Sequence, residues 1–370
     1  MDKREFLKTS LLGFGGLCLH AKSFPEGKLS GVENKYLTEA QFYTTTPKGV
    51  RCHICPSKCN LGTGEIADCR NRVNINNKLY SISYGNPCAV HLDPIEKLPL
   101  HHFLPSSHSL SLGLAGCNFT CLNCQNWTLS QAGPNETENF DYMPDKVIEE
   151  ALSHECKSIA FTYTEPTTYY EYVYDTSILA RSQNIKSVFK TNGYINEKPL
   201  RKLCKVIDAA NVDLKTFSNK IYPNLTSGAL KPVLNSLKVL KEEGVWLEIT
   251  NLVIPSWTDD LEMIKRMCAW LAKNGFDETP LHFGRFIPEY RLTKLPPTPL
   301  NTLIKASEIA SEEGLSHVYV SGIPGNDISD THCPSCDRAV IERKGYIVTK
   351  NNVLNNQCSY CGTDIKGVWE

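Results

Sequence analysis

The sequence predicts an α/β protein, a parallel sheet carried by repeated strand–helix units and flanked by two cysteine-rich segments. Three observations predict it. From Ser109 to about Ile323, strand-like apolar runs alternate with amphipathic helical stretches. Eleven of the sixteen cysteines fall into three tight groups, at the front of the chain, after the first strand and near the end. The 370 residues are 41% hydrophobic and 21% charged, which suits a globular chain of two or three domains.

Charge and hydropathy exclude some classes. Thirty-nine Lys+Arg against 40 Asp+Glu leave a formal charge of −1, so no large field favours nucleic acid or an acidic membrane. No run of about 18 apolar residues is present to span a bilayer.

The first 30 residues stand apart. Lys3-Arg4-Glu5-Phe6-Leu7-Lys8 precedes a short apolar stretch, Leu11–Leu17, and the order resembles a twin-arginine signal with Lys3 in place of its first arginine. A cytoplasmic chain with a disordered, uncleaved N-terminus is expected, with export of the folded protein as the alternative. Residues 36–104 follow as a compact region around Cys52, Cys55, Cys59 and Cys69. Four sulfurs within eighteen residues suit either a tetrahedral zinc or an auxiliary iron–sulfur cluster. Lys78–Tyr84 reads as a strand, ended by Gly85-Asn86-Pro87.

Residues 105–325 carry the strand–helix units. Expected strands are Leu110–Ala115, Ser158–Tyr163, Lys186–Lys190, Asn211–Leu214, Val245–Val253, Leu281–Phe286 and His317–Ser321. Helical spacing links Val147, Ile148, Ala151 and Leu152 after Pro144; it recurs at Val233, Leu234, Leu237 and Leu240, and at Leu303, Ile304 and Ile309. Gly244 and Gly314 sit where C-cap glycines belong. In such a sheet, open or closed into a barrel, the active site lies beyond the C-terminal strand ends.

Cys117, Cys121 and Cys124 follow the first of these strands at C-x3-C-x2-C spacing, and no further cysteine occurs before Cys156. Three thiolates leave a metal position open for chemistry, unless a distant His or Cys closes a zinc site. In residues 326–370, Cys333-Pro334-Ser335-Cys336 and Cys358-Ser359-Tyr360-Cys361 form paired knuckles. They resemble a zinc ribbon, with structural zinc as the expected occupant, or a rubredoxin-like iron site.

The three-cysteine loop resembles the signature of radical S-adenosylmethionine (SAM) enzymes. Further blocks resemble one subfamily, the AmmeMemoRadiSam system radical SAM enzymes, themselves similar to pyruvate formate-lyase activating enzyme. They are Cys52–Pro56, Val90–Lys97, Cys124–Trp127, Thr162–Thr167, Asn211–Lys215, Arg285–Pro288 and Leu295–Pro299. The resemblance implies a radical SAM partial (β/α)6-type TIM barrel between the two cysteine-rich modules. It implies a [4Fe–4S] cluster on Cys117, Cys121 and Cys124, with SAM on the fourth iron. Reductive cleavage to a 5′-deoxyadenosyl radical would follow, with hydrogen abstraction from a small-molecule or protein substrate, as in glycyl-radical activation. A one-electron donor such as flavodoxin or ferredoxin is the implied partner.

For SAM contacts the resemblance points to Glu165 on the ammonium, Asn192 in the Thr191-Asn192-Gly193 turn, and Asp213 with Lys215. Each has a structural alternative: a helix N-terminal carboxylate, a simple Asn-Gly turn and an ion pair. Arg285 and Glu248 are further pocket residues or strand-end ion pairs, and His91, His101 and His102 line the site or make structural hydrogen bonds. Asn123 stands where the signature has a bulky residue near the adenine, which leaves that contact to Phe119 or Trp127. The competing class is a non-catalytic zinc protein in which all three cysteine groups are structural, acting as a protein- or nucleic-acid-binding module.

Overall fold

The computed structural model describes residues 33–322 and 329–370. The signal-like segment 1–30 lies outside the described residues. The N-terminal region is built of six short strands: β1 (Thr38–Glu39), β2 (Tyr43–Thr46), β3 (Gly49–Cys52), β4 (Asn60–Leu61), β5 (Arg72–Ile75) and β6 (Lys78–Ser81). They form two antiparallel three-stranded sheets, β1-β6-β5 and β2-β3-β4. Val50, Ile54, Leu61 and Leu79 join the main hydrophobic core, and buried polar ties also fix the region to the rest. The Arg72 Nη1 donates to Glu171 Oε2 at 2.6 Å with both side chains 2% exposed, and the Asn71 amide donates to Thr168 Oγ1 at 2.9 Å.

An eight-stranded sheet follows: β7 (Ala89–Pro94), β8 (His108–Gly113), β9 (Ser158–Phe161), β10 (Lys186–Thr191), β11 (Ala209–Asp213), β12 (Trp246–Val253), β13 (Leu281–Arg285) and β14 (Val318–Ser321). Its order is consecutive from β7 to β14, with β7 antiparallel to β8 and every later pair parallel. The seven parallel strands are the seven the sequence pattern predicts. The consecutive order leaves β7 and β14 as edges, so the sheet is open. Sequence pattern does not predict β7, because this edge strand exposes His91 and Leu92 and carries His91 and the buried Asp93 in place of an apolar run.

Helices connect the parallel strands. They are α1 (Trp127–Ser130), α2 (Pro144–Ser153), α3 (Tyr170–Ser182), α4 (Glu197–Leu203), α5 (Ile221–Thr226), α6 (Leu230–Glu242), α7 (Leu261–Lys273) and α8 (Leu300–Glu312). α7 buries Met263, Ile264, Met267, Cys268 and Leu271, a stripe at helical spacing, and each large apolar side chain so buried contributes about 1.5–3 kcal/mol. α6 and α8 stop as their glycines predict. Gly244 takes φ +73°, its N–H reaches the Lys241 carbonyl, and Val245 N–H reaches that of Leu240; Gly314 and Leu315 repeat the pattern.

The C-terminal module holds a three-stranded antiparallel sheet of β15 (Thr331–His332), β16 (Ala339–Lys344) and β17 (Ile347–Asn351), then a hairpin of β18 (Val353–Leu354) and β19 (Gln357–Cys358). It docks at the N-terminal end of the parallel strands. Val368 N–H donates to the His102 carbonyl at 2.8 Å, and the buried Arg343 donates through Nη2 to the His101 carbonyl at 2.7 Å.

Candidate active site at the strand ends

Cys117 comes four residues after β8 ends, and its loop is held from several sides. Gly116 takes φ +95°, and a Cβ there would lie 2.3 Å from the Cys69 carbonyl oxygen, so only glycine admits this approach. Backbone N–H groups of Thr120 and Leu122 donate to the carbonyls of Thr226 and Leu225 at 3.0 and 2.9 Å. The Phe119 ring, 1% exposed, lies against Tyr194 and Tyr222 and over Gly228, where a Cβ would sit 2.2 Å from the ring. The loop's path is therefore fixed by packing. Burial pushes the Cys117 thiol well up, and pushes Cys121 up to about 12 against the pull of the nearby Lys215 ammonium. A soft metal that displaces those protons would be held by thiolates.

The next three strand ends bring the other candidates to the same edge of the sheet. Glu165 is 1% exposed and follows β9; its Oε1 accepts from Thr167 N–H (3.0 Å) and Thr191 Oγ (2.8 Å), and its Oε2 from Asn192 N–H (2.8 Å). It thus caps the turn at Pro166 and joins the ends of β9 and β10. Burial raises its pKa while these donors oppose the rise. Asn192 donates through its amide to Asn118 Oδ1 at 2.8 Å, which ties β10 to the residue after Cys117.

Asp213 at the end of β11 accepts from Lys215 Nζ at 2.8 Å and from Lys190 Nζ. Burial opposes its charge, but the two ammonium groups win and hold its pKa at about 2. Burial lowers the Lys190 pKa, while Asp213 raises that of Lys215 against burial. The Asp213–Lys215 ion pair is therefore present, in a triad that sequence reasoning missed. The sequence pattern marks Lys190 only as the end of a strand; its charge, following Val188 and Phe189 and directly before Thr191, is the available signal.

Of the other candidates, Arg285 ends β13 at this same edge, whereas Glu248, His101 and His102 lie at the other end of the sheet. Glu248 is the third residue of β12, toward the opposite end of the sheet, fully buried and bonded to His282 Nε2 (2.6 Å) and to the N–H groups of His101 (3.0 Å) and His102 (2.8 Å). Glu248, His101 and His102 form a structural network there and are not brought to the strand-end edge. His91 packs its ring on Tyr163, with centroids 5.4 Å apart. Arg285 Nε donates to the Thr298 carbonyl at 3.0 Å. Phe119 is sealed in the core, whereas Trp127 remains 39% exposed and stacks on Tyr290 at 5.2 Å.

The outer cysteine groups differ in geometry. Among the described residues, only Cys333, Cys336, Cys358 and Cys361 bring their ligand atoms within 4.8 Å of one another. Their sulfurs lie 3.6 Å (Cys333–Cys361) and 3.8 Å (Cys336–Cys358) apart, close to the ~3.8 Å that a tetrahedral ion with 2.3 Å metal–sulfur bonds requires. Cys52, Cys55, Cys59 and Cys69 instead line a cleft. No helix among the described residues is long and apolar enough to cross a membrane.

Comparison with known proteins gives the family. Residues 113–268 match the family model of the Radical SAM superfamily. The chain is 43% identical over 334 residues to the uncharacterized protein MJ0808 of Methanocaldococcus jannaschii, covering 89% of this chain and 99% of the relative. It is 26% identical over 156 residues to pyruvate formate-lyase 1-activating enzyme of Escherichia coli, covering 41% of this chain and 63% of that enzyme. Among solved structures, Streptococcus suis SuiB bound to S-adenosylmethionine aligns with TM-score 0.45 and 18% identity, over 62% of this chain and 53% of SuiB. With a SAM-binding, iron–sulfur family matched across the strands that carry the three-cysteine loop, the chain belongs to the radical SAM superfamily.

Proposed function

We propose that this chain is a radical SAM enzyme of the AmmeMemoRadiSam type that cleaves SAM reductively and abstracts hydrogen from a substrate bound at the strand ends. One observation carries the reading. The loop of Cys117, Cys121 and Cys124 shares one sheet edge with Glu165, Asn192 and the Lys190–Asp213–Lys215 triad. The donor set fits the cofactors: three soft sulfurs on one loop, with no carboxylate among them, suit iron and leave a ligand position for SAM. Bound there, the [4Fe–4S] cluster supplies the electron that converts SAM to methionine and a 5′-deoxyadenosyl radical.

The residues around it bind, orient and exclude. Glu165 spends three acceptor sites on protein donors and keeps capacity on Oε2 for an ammonium group. Asn192 holds Asn118 and so fixes the start of the cysteine loop. Two lysines on one aspartate leave one positive charge beside Cys121, which offsets thiolate charge and suits a carboxylate. The Trp127–Tyr290 stack offers an aromatic face for an adenine in place of the small Asn123. Partial similarity to an activating enzyme extends the substrate class to a protein glycine.

The test is anaerobic reconstitution with iron and sulfide, then dithionite and SAM. Wild type should release 5′-deoxyadenosine and Cys117→Ala should not; equal release by both would end the proposal. Label traced from a candidate substrate into the 5′ position separates small molecules from a partner protein, which would show a protein-centred radical by EPR.

A further inference from the structure

The N-terminal cysteines do not converge as the C-terminal ones do. No three ligand atoms of Cys52, Cys55, Cys59 and Cys69 lie within 4.8 Å of one another. All four residues nevertheless line one cleft. A single tetrahedral ion with metal–sulfur bonds of about 2.3 Å needs its sulfurs about 3.8 Å apart, whereas an iron–sulfur cluster is a body whose thiolates stand farther apart on its corners.

The cleft is also lined by unused donors. Arg72 and Thr167 both face it, and Arg72 Nη2 and Thr167 Oγ1 are buried with no hydrogen-bond partner. An unmade buried hydrogen bond costs about 1–3 kcal/mol, so two on one wall call for an acceptor. The bridging sulfides of a cluster are such acceptors, and a zinc ion brings none. Backbone geometry holds the ligand loops in place: Cys52 N–H donates to the Cys59 carbonyl at 3.0 Å, and Gly116 lets the Cys69 carbonyl press against the start of the other cysteine loop. Asn118, next to Cys117, lines the same cleft.

We propose that Cys52, Cys55, Cys59 and Cys69 hold a second iron–sulfur cluster, of the four-iron class, sharing the Asn118 wall with the Cys117 loop. This assignment stands whether or not the Cys117 loop binds SAM.

The test counts iron, acid-labile sulfide and zinc per chain in the full protein after anaerobic reconstitution. About eight irons, eight sulfides and one zinc are expected. Replacing Cys117, Cys121 and Cys124 together by Ala should halve iron and sulfide; Cys55→Ala/Cys59→Ala should halve them too and leave an EPR signal that still shifts with SAM. A Cys117/Cys121/Cys124 variant without iron and sulfide would overturn the proposal. Should the Cys55/Cys59 variant fail to fold, the iron and sulfide left in the Cys117/Cys121/Cys124 variant decide. Iron lost with Cys55 and Cys59 but not with Cys117 would instead remove the SAM reading and keep the second cluster.

Discussion

Replacing His317 should flatten the protein's loss of stability in mild acid. His317 immediately precedes β14, is 5% exposed, and packs its ring on that of His102, with centroids 4.4 Å apart. Burial holds His317 neutral and lowers its pKa to about 4; burial, then the neighbouring His317, lowers that of His102 to about 3. In the unfolded chain both titrate near 6.5, so the unfolded state binds more protons between about pH 4 and 6.5 and stability falls with pH in that window. The stabilisation is complete above 6.5. Between pH 7 and pH 5 each histidine with such a shift removes about 2 kcal/mol, from RT ln of the ratio of unfolded to folded binding polynomials. Urea titrations of wild type and His317→Leu at the two pH values give the test. Any constant effect of the lost ring cancels in the pH difference, and a contribution of bound metal, common to both proteins, cancels between them. The variant should lose about 2 kcal/mol less than wild type on acidification. Equal losses would mean that His317 is not held neutral by burial.

Two other perturbations probe the packing of the site. Arg72→Met leaves the Glu171 carboxylate buried with only the Gln41 N–H at 2.8 Å from it, and should cost about 3–5 kcal/mol in denaturant unfolding. Adding Glu171→Leu should recover most of that loss, and a double variant no better than the single would refute the pairing argument. Gly228→Ala drives a methyl group against the Phe119 ring and should cost about 1–3 kcal/mol by thermal unfolding, together with faster loss of iron from the reconstituted protein. Unchanged iron retention would show that Phe119 does not anchor the cysteine loop.

What the sequence made legible was local. The parallel strands read as short apolar runs because they are buried on both faces; all four residues of β9 are buried. The cysteine groups read from spacing alone, and the positions just beyond β9, β10 and β11 fall together at one edge of the sheet. What the sequence hid depends on partners distant in the chain. Lys190 matters because Asp213 lies beside it on the neighbouring strand, twenty-three residues on. Glu248 looked like a pocket residue, yet its place near the start of β12 puts it at the far end of the sheet with His101 and His102. Arg343 is buried because it reaches the His101 carbonyl across 242 positions.

The two ends of the sheet handle charge in different ways. At the N-terminal end, His101, His102, His282 and His317 are all held toward the neutral form by burial, and Glu248 is saturated by His282, two backbone N–H groups and Trp246 Nε1. The tail of the C-terminal module closes over it through Val368 and through Lys366, whose carbonyl meets His102 Nδ1 at 2.6 Å. With its carboxylate saturated, this network rigidifies the strands, although His101 Nδ1, His282 Nδ1 and Arg343 Nε lie buried there without partners. At the C-terminal end the balance is left open: two lysines share one aspartate, Glu165 keeps an acceptor site, the Asn123 Oδ1 is buried without a partner, and Asn118, next to Cys117, lines the cleft of Cys52, Cys55, Cys59 and Cys69. Groups left short of partners on a scaffold pinned at its other end are the ones available to bind metal, cofactor and substrate without reorganising the fold.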